Sequence, residues 1–279
     1  MDGTVVIRTL LDGRETDRIP VDDRGLQYGD GLFETCVLRH GRVELWGRHR
    51  QRLLEGCRRL AIPEPAAAQL DAELETLCAG SEAGLVKLII TRGSGGRGYL
   101  PPIPAHPRRL FQLHPPVVWP DAHYRQGVRL HLCRTRLGHN RSLAGIKHLN
   151  RLEQVLARAE WRDPETAEGL LQGQDGHWIE GTMTNLFLVS SGCLLTPDLS
   201  RCGVAGIMRA LVLELAAGLG IPHRVQDIDT ATLTAADEVF VTNSVIGLWP
   251  VVVAGDYRYR IGAMTRRLQT ALAGYLAGN

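Results

Sequence analysis

The chain has 279 residues, of which 44% are hydrophobic and 22% charged, enough to bury a sizeable core as two domains or one large one. Lys and Arg number 32 against 30 Asp and Glu, a net charge of +2, and aromatic residues make up only 5%; this balance excludes the electrostatic footprint of a nucleic-acid binder and a stacking platform for single strands. No apolar run is long enough to span a bilayer and Met1 to Arg8 lack the pattern of an export signal, so a soluble cytoplasmic protein is expected.

From the N terminus, Val5, Ile7 and Leu10 alternate as a strand, and the Asp12-Gly13 turn leads into a second extended segment. After Tyr28-Gly29-Asp30-Gly31, the run Leu32 to Leu38 reads as a strand with His40-Gly41 as its hairpin turn. Apolar spacing then predicts two helices: one through Leu53, Leu54, Cys57 and Leu60 that ends before Pro63, and one through Leu70, Leu74 and Leu77 that ends near Gly80. Gly84 to Thr91 is a strand whose apolar continuity points to burial on both faces, and it runs into the glycine-rich loop Arg92 to Tyr99. Another strand, Arg109 to Leu113, lies among the prolines between Pro101 and Pro120. Those prolines set the expected boundary: an N-terminal domain over 1–114, a linker over 115–121 and a C-terminal domain over 122–279 that carries Lys147.

In the second half Val128 to Cys133 reads as a strand, and Ile146 to Trp161 as a helix with Ile146, Leu149, Leu152, Val155, Leu156 and Ala159 on one face. Short strands follow at Gly169 to Leu171, Trp178 to Glu180 and Asn185 to Val189. A helix begins after Gly203-Val204-Ala205-Gly206, and a strand over Glu238 to Thr242 leads to Asn243-Ser244. Each half mixes a sheet with helices, an α+β fold class.

Thirty of the 32 cationic side chains are arginine; the two lysines are Lys87 and Lys147. Arginine stays protonated and cannot condense with a carbonyl, whereas a desolvated lysine amine serves as base or nucleophile. A lysine-dependent enzyme is therefore the first reading, set against simple biased usage. Lys147 falls in the first turn of its predicted helix, where the positive end of the dipole lowers an ammonium pKa. The plainer reading is a solvated lysine on a polar face with Asn150, Arg151, Gln154 and Arg158. Lys87 lies in a strong strand and its spacing supports no particular chemistry.

The Arg92 to Tyr99 loop lacks the Gly-Lys-Ser/Thr ending of a P-loop, and Pro101-Pro102 block a helix after it. Its Arg92 and Arg97 over a carboxylate-bearing substrate are an equally economical reading. Better anion sites are Gly203 to Met208, where glycine turns deliver the chain into a helix with unpaired leading N–H groups, and Thr242, Asn243 and Ser244 after a strand. Each also reads as an ordinary capped turn. The six cysteines form no CxxC pair and no zinc-spaced cluster, so reduced structural thiols and no metal are expected.

Taken together, Asp23-Arg24-Gly25, Tyr28 to Thr35, His49 to Leu53, the Arg92 to Tyr99 loop, Gly145 to Glu153, Glu180-Gly181-Thr182-Met183-Thr184-Asn185-Leu186-Phe187 and Gly206 to Arg209 resemble, in order and spacing, the class IV (fold-type IV) pyridoxal-phosphate enzymes. The resemblance implies the two-domain D-amino acid aminotransferase-like architecture, a homodimer with its site between the domains, and pyridoxal 5'-phosphate as cofactor. It assigns Lys147 to the covalent link with the cofactor and to proton transfer at the substrate carbon, and Glu180 to the pyridine nitrogen. Arg52 pairs with the cofactor phosphate by the same comparison, helped by Ile207, Met208 and Ser244, with Asn243 beside them. Lys87 stays structural by this mapping.

Within the family, the Arg92 to Tyr99 loop and the stretch from Lys147 are most similar to the aminodeoxychorismate lyases. That implies conversion of 4-amino-4-deoxychorismate to 4-aminobenzoate and pyruvate, a step of folate biosynthesis. Thr35 resembles a lyase threonine where branched-chain aminotransferases usually carry glycine, and is a catalytic candidate; Leu152 replaces their tyrosine. Arg97 and Tyr28 are candidates for substrate contact. A class IV aminotransferase acting on D-amino or branched-chain amino acids would use the same lysine, glutamate and phosphate groups. A noncatalytic phosphate- or nucleotide-binding module would need no lysine chemistry.

Overall fold

The computed structural model describes residues 8–278, so Val5 and Ile7 of the expected first strand lie outside the described residues. The chain divides into two compact units. One runs to Val118 and also takes Lys147–Asn150; the other comprises Trp119–Ile146 and the chain from Arg151 onward. Lys147 thus clusters with the first unit, whereas the sequence boundary put it in the second.

The first unit contains β1 (Arg8–Leu11), β2 (Arg14–Glu15), α1 (Arg24–Tyr28), β3 (Gly31–Arg39), β4 (Arg42–Val43), α2 (Trp46–Arg59), α3 (Ala67–Cys78), β5 (Ala83–Thr91) and β6 (Arg108–His114). Its six strands form one antiparallel sheet in the order β2-β1-β6-β5-β3-β4. Alternation puts Leu32, Cys36 and Leu38 of β3, Val86, Leu88 and Ile90 of β5, and Phe111 and Leu113 of β6 in the core with Leu53 and Cys57 of α2 and Leu70 and Leu77 of α3. Each such aliphatic side chain contributes about 2 kcal/mol by leaving water. The expectation that β5 is buried on both faces is corrected: Leu85, Lys87 and Ile89 are only half-buried, as befits an antiparallel sheet whose two faces differ in cover.

The second unit contains α4 (Asp121–Arg125), β7 (Val128–Leu137), α5 (Leu152–Arg158), β8 (Thr166–Gly173), β9 (Trp178–Gly181), β10 (Asn185–Ser190), β11 (Cys193–Pro197), α6 (Ile207–Gly218), β12 (His223–Gln226), α7 (Thr230–Thr234), β13 (Glu238–Asn243), β14 (Gly247–Ala254), β15 (Tyr257–Arg258) and α8 (Ala263–Gly278). The strand order is β12-β11-β10-β13-β14-β7-β8-β9, with β15 on β14. One further pair, Asn185 with Glu180, joins β10 to β9 and closes six of the strands into a ring. Trp249 is buried in one cluster with Leu186, Leu188, Val239 and Val241, and the stacked rings of Phe187 and Phe240, 4.9 Å apart, are buried on the opposite face of the sheet. β7 slips register between Leu132 and Arg136, and Glu160 closes that irregularity by accepting from the Arg134 and Thr135 N–H groups and the Thr135 hydroxyl. Burial works against its charge, yet these donors hold its carboxyl near pKa 2.

The expected helix from Ile146 to Trp161 is corrected to Leu152–Arg158. β4 covers only Leu38 and Arg39 of β3, which leaves the outer edge of Gly31 to Phe33 open to another segment. Residues 147–149 take that edge: Phe33 N–H donates to the Lys147 carbonyl, Leu149 N–H donates to Gly31, and His148 bridges Leu32. Backbone groups spent on a strand edge cannot build a helix turn. The apolar stripe of α5 is also not core, because Leu152, Val155 and Leu156 are 60% exposed or more. All six cysteines are free, and no helix among the described residues is long and apolar enough to cross a membrane.

Candidate active site

In the first unit, β3 presents different chemistry on its two faces. Phe33 and Thr35 project to one side, and Glu34 to the other. The Lys147 amine lies 4.1 Å from the centroid of the Phe33 ring, a face that attracts a cation. Thr35 is directly opposite Lys87 of β5 in the sheet register, so both side chains stand on the Phe33 side. Lys87 is half-buried, and no carboxylate pairs with it among the described residues. It does bear on His114 of β6, whose pKa is lowered first by burial and then by the Lys87 charge.

On the opposite face Glu34 is 1% exposed and meets α2. Arg52 grips it with two bonds, Nε to Oε1 at 2.7 Å and Nη2 to Oε2, and His49 Nδ1 is 2.7 Å from Oε2. Burial alone would raise the Glu34 pKa; the Arg52 charge and the bonds from His49 and Arg52 overcome it and bring it to about 2. Arg52 is therefore a pre-set guanidinium, held from behind by a buried anion.

The glycine-rich loop is fixed at its root. Arg24 and Arg92 both donate through Nε to Asp30 Oδ2, at 2.9 and 2.8 Å. Arg24 also donates to the Gly98 and Tyr99 carbonyls, and Arg92 to those of Leu60 and Ala61. Asp30 is consequently held below its ordinary pKa, the two arginines outweighing burial. Tyr28 meets Tyr99 edge-on at 5.5 Å and lies under the Arg24 guanidinium, while Arg97 is exposed at the loop tip. Gly29 ends α1 with φ 66°, and a Cβ there would fall 2.6 Å from the Asn150 amide that donates to its carbonyl. Only glycine meets both conditions.

In the second unit Glu180 is 5% exposed, and its Oε2 accepts the Val204 N–H at 2.8 Å. Gly206 then caps α6 without any side-chain hydrogen bond, so the leading N–H groups of Ile207 and Met208 form an anion-ready helix start. Asn243 is spent locally: its Oδ1 accepts from Val245 and Ile246, and its Nδ2 donates to the Met183 carbonyl. Its side chain follows the plainer capped-turn reading, and Ser244 is half-buried in the same turn. Glu168, buried and raised in pKa by that burial, accepts from Thr182, Met183 and Thr184 and so shapes the loop between Glu180 and Asn185.

The chain matches the family model of amino-transferase class IV over residues 31–253. It belongs to that family. This class IV chain is 39% identical over 269 residues to an aminodeoxychorismate lyase of Vibrio harveyi, covering 93% of this chain and 97% of the other. It superposes with TM-score 0.93 and 51% identity on the crystal structure of 4-amino-4-deoxychorismate lyase from Pseudomonas aeruginosa, over 96% and 99% of the two chains. A D-alanine aminotransferase of Bacillus licheniformis is 26% identical over 282 residues, 95% of this chain and 96% of that one. The two-unit α+β class IV architecture and pyridoxal phosphate as cofactor follow from membership. Taken by itself, each unit offers groups whose chemistry suits that cofactor: the first an amine and an arginine fixed by a buried anion, the second a buried carboxylate and an open helix start. Sequence reasoning missed Glu34, His49 and the placing of half-buried Lys87 on the Thr35 face.

Proposed function

We propose that this chain is a pyridoxal-phosphate-dependent 4-amino-4-deoxychorismate lyase. The observation that carries the reading is its likeness to two such lyases over nearly the whole length of each. Bound pyridoxal phosphate supplies a covalent handle for the substrate amine and an electron sink for the carbanion formed at the carbon beside it. Glu180 keeps the pyridine nitrogen protonated, so that the sink is effective. For the phosphate the first unit offers Arg52, and the second offers the N–H groups of Ile207 and Met208 and the turn at Ser244 and Asn243.

The substrate bears its amine on a ring carbon that also carries a proton, and the enolpyruvyl ether is the leaving group. The Lys147 amine would be the base that removes the ring proton. Loss of that proton and of the enolpyruvyl group aromatises the ring, so the products are 4-aminobenzoate and pyruvate and no amino acceptor is used. Lys147 returns a proton to the departing carbon, with the Thr35 hydroxyl on the Phe33 face to assist. Lys87, Arg97 and Tyr28 serve the substrate carboxylates: Lys87 is a half-buried cation beside Thr35, and a desolvated carboxylate is what such a cation pairs with best.

Homodimerisation and a cytoplasmic setting complete the reading. The exposed Leu152, Val155 and Leu156 of α5 support the first, and six unpaired cysteines the second. The test is turnover of aminodeoxychorismate by the loaded protein without an amino acceptor, followed by 4-aminobenzoate fluorescence. Product formation that Lys147→Arg abolishes supports the lyase. Turnover only with an amino donor and a keto acid would instead make the chain a class IV aminotransferase.

A further inference from the structure

Asn185 is 6% exposed, opens β10 and pairs in register with Glu180 of β9. Its amide Nδ2 donates to the Val204 carbonyl at 2.9 Å and, at a longer 3.4 Å, to Glu180 Oε2. Val204 in turn donates its N–H to that same oxygen at 2.8 Å. One side chain therefore bonds both the carboxylate and the residue whose N–H donates to it. Its Oδ1 lies against Gly206, the N-cap of α6, where an added Cβ would fall 1.9 Å away. Gly206 has φ −67°, a conformation open to any residue, so this close approach is what demands glycine. Asn185 thereby ties Glu180 to the first turn of α6 within one unit.

We propose that Asn185 is the positioning residue of Glu180, an inference that rests on Glu180 serving the pyridine nitrogen. Two donors on Oε2 fix the carboxylate in rotation, and the Arg151 and Arg209 charges also bear on it. Through Gly206 the same amide sets the distance between that carboxylate and the helix start that takes the phosphate. A supporting residue of this kind governs how well the contacting group is aimed, without itself touching the cofactor.

The test titrates apoprotein with pyridoxal phosphate and reads the absorbance of the lysine-bound chromophore, its pH midpoint and the melting temperature of the apoprotein. Asn185→Asp removes both donated bonds and sets a second carboxylate beside Glu180; affinity falls about 10-fold or more, and the chromophore midpoint moves by about one pH unit. Gly206→Ala leaves the amide chemically intact but displaces it, and shifts both readings in the same direction; it also serves if the Asn185 variants fail to fold. In an Asn185→Ala background Gly206→Ala adds no further loss, because the clashing oxygen is gone. In a Glu180→Gln background Asn185→Ala adds none either. Wild-type affinity and midpoint in both Asn185→Asp and Gly206→Ala, or full additivity with Glu180→Gln, overturns the positioning role and leaves the cofactor reading intact. A wild-type protein that forms no chromophore sensitive to Lys147→Arg overturns both.

Discussion

Replacing Glu34 by Gln keeps the shape of the side chain but removes the anion between Arg52 and His49. A carboxyl held at about 2 rather than its ordinary 4.5 in a fully buried site represents about 3 kcal/mol of stabilisation of the charged form. Stripping one partner from a buried pair costs about 3–5 kcal/mol, in the same range. The folded-state pKa is depressed, so this contribution is fully present above pH 4.5 and is lost as the pH falls through about 2. Urea unfolding of wild type and E34Q at a series of pH values therefore shows a gap of about 3 kcal/mol at neutral pH, roughly 10 °C in Tm, that closes below pH 4.5. A gap below about 0.5 kcal/mol at neutral pH, the scatter of an ordinary surface change, or one that does not narrow on acidification, refutes the account of Arg52 as a guanidinium held by a buried anion.

Lys87→Gln lowers kcat/KM for aminodeoxychorismate roughly 10- to 100-fold, the scale of one charge-assisted contact, while cofactor affinity stays at the wild-type value; an unchanged kcat/KM returns Lys87 to a structural role. Burial pushes Cys57, Cys133 and Cys202 up to about 12 and Cys36 well above its ordinary value, so these four thiols resist a disulfide reagent in the native protein at pH 8 and react once it is denatured. Glu160→Ala strips the acceptor from two backbone N–H groups in the β7 irregularity and costs about 2 kcal/mol in urea unfolding; a loss below half that would mean that water replaces the carboxylate without penalty.

Much of the sheet was legible because local pattern and tertiary environment agree. β3, β5, α2 and α3 follow their apolar spacing to within a few residues. The helix start at Ile207 was readable from the glycine turns before it. Glu34 carried a signal that went unused: in the run Leu32 to Leu38, period-two alternation puts this acid on the same face as Leu32, Cys36 and Leu38, and a carboxylate among core residues requires a partner. The Lys147 segment was misread because a helical spacing of leucines continues through it, while the deciding interaction, the open edge of β3, lies over a hundred positions earlier in the chain. The Thr35 and Lys87 pairing likewise depends on strand register, which no local pattern encodes. The register of the nine-stranded sheet, and the exposure of Leu152, Val155 and Leu156, belong to the same class of long-range fact.

The most direct measurement supplies aminodeoxychorismate to the pyridoxal-phosphate form of the protein, with no keto acid or amino donor present, and counts both products over many turnovers. The lyase account predicts equimolar 4-aminobenzoate and pyruvate throughout, cofactor returned in its aldehyde form, and neither product with Lys147→Arg. A single stoichiometric burst that leaves the cofactor as its amine, with further turnover only after a keto acid is added, would contradict it.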